Sequence, residues 1–470
     1  MIAARQLRAL FVLSVVAGCG DDAPPRTHPL WSDGAHLRDA DGRTAILRGI
    51  NARVDGVFDV SFADGRTALE PIPALTAADC TRMRALGLDL LRLPINWSGV
   101  EPIDGQFDDA YLARVDAAVQ CAAAAGLLVV IDLHQDGYSK EIGEDGAPLW
   151  AIQPPPTMIL GGPLTDLDQR RLSAQVQDAF RTFFAAGDPS GMQARFTAML
   201  AHVATRWADD PAVLGFELYN EPLAGDADLA AFQGAAAAVV RATAPDKLVF
   251  FEPSALRNLV DFAPKPAAPF PTTGGVYAPH IYTFVFQPNR TPFQTATPAD
   301  LEPSVMAARA EATAWHTPLF IGEFGCGPDG SDPQTDLWMQ TQAQLHDRYL
   351  ASDAFWVWKE QSQGRWGVFD HDDATGAWTE RPQVIAWLSR VHAARIAGTP
   401  ATVESSAAGD AIHVEIAPGS QTAAPSLIYV PERFAATTRV RCDGSEVAAA
   451  RDPATGLVEI ACRGTIDVGP

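Results

Sequence analysis

Two glutamates in this sequence have the character of a catalytic carboxylate pair. Glu221 follows an aliphatic run that ends at Tyr219, and Glu323 follows a second such run further along the chain. When one of two facing carboxyl groups stays protonated and the other ionised, the pair can cleave a glycosidic bond through an oxocarbenium-like transition state. Burial or a neighbouring carboxylate raises the pKa of the acid, whereas hydrogen-bond donors hold the nucleophile as an anion. We expect Arg92 to be such a donor to Glu323.

Other polar and aromatic residues also stand at the ends of short aliphatic runs. They are Arg92, His134, Asn220, His280, Tyr282 and Trp358. At the carboxyl ends of the strands of a parallel barrel such residues point into the active site, whereas polar residues elsewhere on strands are usually structural. Their position makes them candidates for the site. Glu252 also ends a run, but Pro253 follows it, and we interpret Glu252 as a residue that orients a loop.

Alternating strands and helices must position these residues. The eight candidate strands are Ala45–Gly49, Leu88–Leu93, Leu127–Leu133, Val213–Tyr219, Lys247–Glu252, Val276–His280, Pro318–Glu323 and Ala354–Trp358. The candidate helices between them are Ala77–Leu86, Asp109–Ala125, Met192–Trp207, Leu229–Ala242, Val305–Ala314 and Thr335–Leu350. This alternation is typical of βαβ units, and eight of them suit a closed (β/α)8 barrel, the TIM-barrel form of the α/β class. An open doubly wound sheet is less favoured, because no glycine-rich phosphate turn follows the first strand.

Length and composition indicate the rest of the molecule. The 470 residues, 47% of them hydrophobic, suffice for a barrel and a smaller companion domain. After a last helix near Pro382–Ala394, short alternating runs rich in Thr, Ser and Gly predict a small C-terminal β-sandwich. We place the catalytic (β/α)8 domain at residues 36–396 and the sandwich at 397–470. The net charge of −22 argues against nucleic acid or an anionic lipid surface as a partner, since both would be repelled.

The N-terminus resembles an export signal. Two arginines precede an apolar run, Ala9–Ala17, that is too short to span a bilayer. The run is followed by Gly and Cys19, and this ending resembles the lipobox of bacterial lipoproteins, in which the cysteine is acylated as a lipid anchor. The alternative is ordinary cleavage after small residues. We expect residues 1–19 to be signal peptide and lipobox, residues 20–35 to be a tether, and the protein to be secreted or anchored at the bacterial cell surface.

Four further cysteines are candidates for disulfides, which an exported protein permits. Cys442 and Cys462 lie on two strand-like segments joined by a turn, and Cys80 and Cys121 lie on successive helices. No Cys-x-x-Cys pair or histidine cluster has the spacing of metal ligands, so we predict no metal site.

The order of the strand-end residues resembles glycoside hydrolase family 5. The motifs that carry the resemblance, along nearly the whole predicted barrel, are Leu91-Arg92-Leu93-Pro94, His134, Asn220-Glu221-Pro222, His280-x-Tyr282, Gly322-Glu323-Phe324-Gly325 and Trp358. The resemblance implies hydrolysis with retention of configuration, with Glu221 as the acid/base and Glu323 as the nucleophile. It also implies that Asn220 binds the sugar 2-hydroxyl, and that His280 and Tyr282 position the two glutamates.

Within that family, the sequence is most similar to the endoglycoceramidases and related glycolipid glucosidases. The motifs concerned are residues 47–51, 132–136 and 145–150. The similarity implies that His134 and Asp136 bind the glycone sugar and that Trp358 forms a platform through its apolar face. The run after Trp358 is richer in charge than that of a simple cellulase, and we expect Lys359 to bind sugar hydroxyls.

Two apolar loops follow catalytic strands, on the side where the leaving group would lie. One spans residues 147–164 and contains Trp150, and the other contains Phe284 and Phe286. An apolar rim would favour a lipid aglycone, because burying each CH2 group contributes about 0.8 kcal/mol. The alternative is that these residues only pack their loops against the barrel.

The sequence therefore predicts a retaining β-glycosidase that hydrolyses a glycolipid, such as a glycosphingolipid or a steryl glucoside, without a cofactor. One alternative is an endo-β-1,4-glucanase or mannanase that acts on soluble polysaccharide. Another is a surface lipoprotein that binds carbohydrate or lipid without catalysis, against which the intact pair of Glu221 and Glu323 argues. We predict membrane contact through the lipid anchor or the lipid substrate, and no protein partner.

Overall fold

The computed structural model describes residues 29–259, 274–287, 289–327, 333–362 and 366–470. The predictions for the signal peptide, for Cys19 and for residues 20–28 lie outside these ranges. Within these ranges, no helix combines the length and the hydropathy that crossing a membrane requires.

The described chain begins with four short strands, then alternates between strands and helices as far as β11, and after that consists mainly of strands. The strands are β1 (Leu30–Asp33), β2 (His36–Asp39), β3 (Thr44–Ala45), β4 (Arg48–Asn51), β5 (Leu90–Ile95), β6 (Leu128–Leu133), β7 (Val213–Glu217), β8 (Leu248–Phe251), β9 (Gly275–Tyr277), β10 (Phe320–Phe324), β11 (Ser352–Phe355), β12 (Phe369–Asp372), β13 (Ala377–Glu380), β14 (His392–Ile396), β15 (Pro400–Ser405), β16 (Ile412–Ile416), β17 (Ser426–Tyr429), β18 (Arg439–Cys442), β19 (Ser445–Glu446), β20 (Leu457–Ile460) and β21 (Thr465–Gly469). The helices are α1 (Ala77–Ala85), α2 (Trp97–Val100), α3 (Asp109–Ala124), α4 (Leu167–Arg171), α5 (Ala174–Phe183), α6 (Met192–Arg206), α7 (Asp226–Thr243), α8 (Thr291–Thr295), α9 (Pro298–Ala314), α10 (Gln334–Arg348) and α11 (Pro382–Leu388).

Eight parallel strands form the barrel, in the spatial order β10-β11-β4-β5-β6-β7-β8-β9. Parallel bridges from Tyr277 to Leu319 and from Ile281 to Phe324 join the two edge strands and close the sheet. Strands β5, β7 and β10 are buried at every position, as expected of parallel strands that are covered on both faces. The prediction of a (β/α)8 barrel is confirmed.

The first predicted barrel strand, Ala45–Gly49, differs from the strand in the structure. Ala45 belongs to β3 of a different sheet, and the barrel strand β4 begins only at Arg48. The chain passes from one apolar core to another between these strands, because Ile46 packs in the second core and Ile50 in the barrel core. A continuous aliphatic run does not reveal that it serves two different sheets.

Two antiparallel sheets form the β-sandwich. One has the order β1-β2-β3-β14-β17-β20 and the other β15-β16-β21-β18-β19, with residues of both in one apolar core. Leu30–Asp33 is a strand rather than part of the tether, because Leu30 is buried in an apolar cluster. The last predicted helix ends at Leu388 rather than at Ala394, because His392–Ile396 pairs with β3 and β17.

Two disulfides link neighbouring elements. Cys80–Cys121 joins α1 to α3, and Cys442–Cys462 joins β18 to the segment that follows β20. Both candidate pairings are confirmed. Cys326, just after β10, is a buried free thiol, and burial raises its pKa to about 12.

Candidate active site

The two candidate catalytic glutamates lie side by side at the carboxyl end of the barrel. Glu323 is in β10, and Glu221 comes shortly after β7. Carboxylate oxygens of the two residues lie within 4.8 Å of each other. Retaining glycosidases have carboxyl groups about 5–5.5 Å apart, whereas inverting ones need about 6.5–9.5 Å to admit a water. The backbone at Glu221 has a φ of 42°, a left-handed conformation that is uncommon for a residue with a side chain.

Two donors bind Glu323, one on each carboxylate oxygen. Arg92 Nη1 donates to Oε1 at 2.8 Å, and the Tyr282 hydroxyl donates to Oε2 at 2.8 Å. The predicted pairing of Arg92 with Glu323 is confirmed. Burial and the charge of Glu323 raise the pKa of Tyr282 well above its usual range, so this hydroxyl stays a neutral donor. An ionised carboxylate oriented in this way is suited to nucleophilic attack.

Glu221 is hydrogen-bonded to His280. The apolar surroundings that would raise the pKa of an acid/base glutamate are therefore not its only environment. Glu221 Oε1 lies 2.8 Å from His280 Nδ1, which is also 3.6 Å from Glu323 Oε2. Burial disfavours the Glu221 carboxylate, but the hydrogen bond and charge of His280 outweigh burial and lower the pKa of Glu221 to about 2. Burial also disfavours the imidazolium, yet the charge of Glu323 and the hydrogen bond to Glu221 raise the pKa of His280. The expected rise in the pKa of Glu221 is therefore wrong for the free protein, because His280 holds the shared proton.

A network of buried polar side chains contacts Glu323 and His280. Arg92 Nε donates to Glu217 Oε2 at 2.7 Å, and Arg92 Nη2 donates to Asn220 Oδ1 at 2.8 Å. Glu252 Oε1 lies 3.6 Å from Arg92 Nη2 and 3.4 Å from His280 Nε2. Burial and the Glu217 carboxylate raise the pKa of Glu252 well above its usual range. Glu252 is thus a neutral member of the network that holds the site, and not only a loop-orienting residue.

The residues predicted on the glycone side, His134 and Asp136, follow β6 at the carboxyl end of the barrel, here called the mouth, where the two glutamates also lie. His134 Nδ1 lies 2.6 Å from Asp132 Oδ2, and the His134 ring stacks on Trp356 with their centroids 5.6 Å apart. Burial lowers the pKa of His134 to about 4, so its imidazole is neutral. Asp136 forms an ion pair with Arg171 of α4. These contacts fix the polar side chains in advance, which reduces the ordering that sugar binding requires.

Two residues predicted to touch the sugar are bound elsewhere. Trp358 is 1% exposed and donates its Nε1 hydrogen to Asp79 Oδ1 at 3.0 Å. Lys359 Nζ forms an ion pair with the same oxygen at 2.7 Å. Both predictions are wrong, because Asp79 in α1 binds the two side chains away from the mouth. The tryptophan at the mouth is Trp356, which directly follows β11 and stacks on His134.

The three residues predicted on the aglycone side have different environments. Trp150 donates its Nε1 hydrogen to the Glu101 carbonyl at 3.1 Å, which supports the loop-packing alternative for this residue. Phe284 is half-buried and packs against the barrel core. Phe286 is 55% exposed, and its ring lies 4.9 Å from that of Tyr282 and 5.6 Å from that of Trp366. An aromatic wall, formed by Tyr282, Phe286 and Trp366, therefore extends outward from the hydroxyl that binds Glu323.

Several residues of the site were not found from the sequence. They are Asp132, Glu217, Trp356 and Trp366. Asp132 and Glu217 are acidic residues inside aliphatic strands, and a charge on a strand buried on both faces is the signal that could have revealed them. Trp356 could have been chosen for its closeness to the strand end, whereas no local pattern connects Trp366 with Tyr282.

The chain matches the family model for cellulase (glycosyl hydrolase family 5) over residues 41–362. It is 32% identical over 274 residues to an endoglycoceramidase I from Rhodococcus hoagii, which covers 54% of this chain and 52% of that protein. It is 26% identical over 245 residues to a glucosylceramidase from Rhizopus delemar, which covers 42% of this chain and 36% of that protein. The matched segment thus spans about half, or less, of the length of these relatives.

Two similar solved structures cover nearly the whole chain. One is an endogalactoceramidase, with a TM-score of 0.76 and 25% identity, covering 94% of this chain and 99% of that one. The other is endo-glycoceramidase II from a Rhodococcus species, with a TM-score of 0.71 and 25% identity, covering 93% of this chain and 99% of that one. The similarity extends over both the barrel and the sandwich.

Proposed function

This chain belongs to glycosyl hydrolase family 5, and we propose that it is a retaining β-glycosidase that cleaves glycolipids at the bond between sugar and lipid. The observation that carries the proposal is the short separation of the Glu221 and Glu323 carboxylates, within 4.8 Å. The donors on each oxygen of Glu323 orient its carboxylate for attack on an anomeric carbon. This arrangement suits double displacement better than attack by a water held between two distant carboxylates.

In the first half of the reaction, a Glu323 oxygen attacks the anomeric carbon and the glycosidic C–O bond breaks. The leaving oxygen takes a proton from Glu221, which receives one in turn from His280 Nδ1, 2.8 Å away. The products are a glycosyl ester on Glu323 and a free alcohol. Ester formation removes the negative charge that raised the pKa of His280, so the shared proton is transferred more readily as the bond breaks.

In the second half of the reaction, water hydrolyses the glycosyl ester. Glu221 takes a proton from the water, which attacks the anomeric carbon on the face that the alcohol left. The C–O bond to Glu323 breaks, and the carboxylate returns to the donors Arg92 and Tyr282. Two inversions at one carbon give net retention.

The glycolipid specificity of the proposal has two supports. The endoglycoceramidase I, the glucosylceramidase and the endogalactoceramidase compared above are named for ceramide-linked glycosides. The aromatic wall of Tyr282, Phe286 and Trp366 begins beside the nucleophile and ends in solvent, so it offers an apolar surface to a leaving group that is a lipid. Each buried CH2 group of such a lipid would contribute about 0.8 kcal/mol of binding.

Product analysis by mass spectrometry tests the specificity. The full chain is incubated in detergent with lactosylceramide, glucosylceramide, a steryl glucoside and a soluble β-glucan. We expect an intact disaccharide and free ceramide from lactosylceramide. Glucose from the monoglucosides alone would indicate a glycolipid β-glucosidase of exo type. Cleavage of the glucan alone would instead make the protein an endoglucanase and reduce the apolar loops to packing.

The location of the protein is a separate part of the proposal. We propose that Cys19 carries an acyl anchor at the outer surface of a bacterial membrane. The described strands begin with β1 of the sandwich at Leu30, so residues 20–29 would connect the anchor to the sandwich. Labelling of growing cells with a radioactive fatty acid should mark the unsubstituted protein and not Cys19→Ser. Equal labelling of both would exclude this anchor.

A further inference from the structure

The large apolar side chains that face solvent are concentrated at one end of the barrel. Eight are exposed among the described residues, and seven of these lie in the segments that leave the carboxyl ends of barrel strands, ahead of the long outer helices, where the site opens. The eighth, Met306, lies on the outer helix α9. Isolated exposed apolar residues are normal on a protein surface, but their concentration on one face is typical of an interaction surface.

The most apolar part of this face is a segment after β6, residues 149–164, here called the uncharged loop. It contains no Asp, Glu, Lys, Arg or His, although 20% of the chain is charged. Ile152 is buried, so part of the loop packs inward. Met158 and Ile159, however, are 61% and 44% exposed. Packing against the barrel therefore explains the base of the uncharged loop but not its tip.

The uncharged loop is held in one conformation from several sides. The Leu160 N–H donates to the Glu141 carbonyl at 2.8 Å, and the Gly162 N–H donates to the Thr67 carbonyl at 2.8 Å. A Cβ at Gly162 would lie 1.8 Å from the Ala68 carbonyl oxygen, so only glycine allows this close approach. Because the loop is already ordered, burying its tip in a partner surface costs little additional conformational entropy.

The charges at the base of the uncharged loop are already neutralised. Arg66 forms an ion pair with Glu141 at 2.6 Å, and Arg170 forms one with Asp166 at 2.7 Å. These arginines are thus committed to carboxylates within the protein. The net charge of −22 further opposes approach to an anionic surface. The partner of the tip must therefore be apolar and close to neutral.

We propose that the tip of the uncharged loop inserts into a neutral, zwitterionic lipid surface and so places the mouth of the barrel against it. Met158 and Ile159 would enter the acyl region, and the rigid base would set the distance of the site from the lipid. The inference rests on the proposed function only where it connects membrane docking with catalysis. Binding to lipid can be measured without any turnover.

Vesicle binding tests the proposal with a matched pair of variants. Met158→Asp and Met306→Asp introduce the same charge at similarly exposed methionines, one on the uncharged loop and one on α9. Both are made in the full chain with Cys19→Ser, so that no acyl chain can hold the protein on the membrane. Sedimentation with sucrose-loaded phosphatidylcholine vesicles measures partitioning without substrate. We expect Met158→Asp to bind about tenfold more weakly, through lost apolar burial, and Met306→Asp to bind as the Cys19→Ser parent does.

Activity on two substrates separates docking from chemistry. Met158→Asp should hydrolyse soluble 4-nitrophenyl β-lactoside at the parental rate and should lose activity on lactosylceramide in phosphatidylcholine vesicles about as much as it loses binding. Equal vesicle binding by the two variants would overturn the proposal. Binding that requires phosphatidylglycerol would overturn the neutral surface. If Met158→Asp loses binding but not even the parent hydrolyses lactosylceramide, docking is supported and the proposed substrate is wrong.

Discussion

His280 and Glu221 share one proton across 2.8 Å, and the residue that holds it decides how the site responds to pH. The imidazolium persists in a fully buried position because the Glu323 carboxylate and the hydrogen bond to Glu221 outweigh the cost of burial. A raised pKa means that His280 keeps its proton at low pH and loses it as the pH rises through that raised value. Activity should therefore fall as the pH rises above the pKa of His280, because it depends on the shared proton.

Replacing His280 by asparagine tests this proton. For methyl β-lactoside, whose poor leaving group needs protonation, kcat/KM should fall by about 10²–10⁴-fold because general acid catalysis is impaired. The alkaline limb of its pH profile should move to lower pH, because the proton then depends on the Glu221 carboxyl alone. The activated substrate 4-nitrophenyl β-lactoside serves as the control and should be affected far less. An alkaline limb that stays in place would contradict a proton shared with His280.

Glu252 and Glu217 differ in charge although both are buried beside Arg92. Burial raises the pKa of Glu252, whereas the Arg92 charge overcomes burial and lowers the pKa of Glu217. Glu252→Gln replaces a neutral group by a neutral group and should change the free energy of unfolding by less than about 1 kcal/mol. Glu217→Gln leaves Arg92 with one anion fewer and should cost about 3–5 kcal/mol. Denaturant unfolding of the two variants measures both values, and equal losses would refute the assignment.

At the scale of elements, strand ends carry most of the site, and this explains what the sequence could predict. Seven of the eight aliphatic runs correspond to barrel strands, and the first run overlaps β4 only at its end. The polar residues after these strands converge because parallel strands end at the same edge. Arg92, His280 and Tyr282 were found in this way. Trp358 was misassigned because it lies beyond the end of β11, where its orientation depends on a contact with Asp79 that no local pattern reveals.

The two tryptophans after β11 should respond differently to substitution. Trp356→Ala removes the ring that stacks on His134 and should lower kcat/KM by up to about tenfold, at a loss of about 0.5–1.5 kcal/mol of sugar stacking. Trp358→Phe keeps a buried ring but loses the hydrogen bond to Asp79. It should cost about 1 kcal/mol of stability and leave kcat/KM nearly unchanged. Steady-state kinetics and thermal melting distinguish them, and a larger kinetic effect at Trp358 would restore it as the platform.

At the scale of the whole molecule, the two ends of the chain complete one sandwich. Arg38 of β2 donates to the Gly398 carbonyl at 3.2 Å, and β3 pairs with β14. These contacts join residues that are more than three hundred positions apart, so local periodicity could not predict them. The barrel's first strand, β4, is consequently held by its parallel neighbours β5 and β11 on its two edges and by the sandwich strand β3 that precedes it.

The Cys442–Cys462 disulfide should stabilise this sandwich. It closes a loop with a sequence separation of 20 residues, for which chain entropy predicts about 3 kcal/mol. Replacing both cysteines by serine should lower the melting temperature under oxidising conditions and should remove part of the sensitivity of melting to a reductant. An unchanged melting temperature would mean that the bond does not form in the protein.

The central claim is that Glu323 is the nucleophile of a retaining β-glycosidase. The most direct measurement is the turnover of 4-nitrophenyl β-lactoside by Glu323→Ala, with and without sodium azide, with the anomeric configuration of the product read by NMR. We predict almost no turnover without azide, and with azide a rescued rate that yields α-lactosyl azide, because a small anion then attacks from the vacated side. Near-normal hydrolysis by Glu323→Ala without azide would contradict the claim.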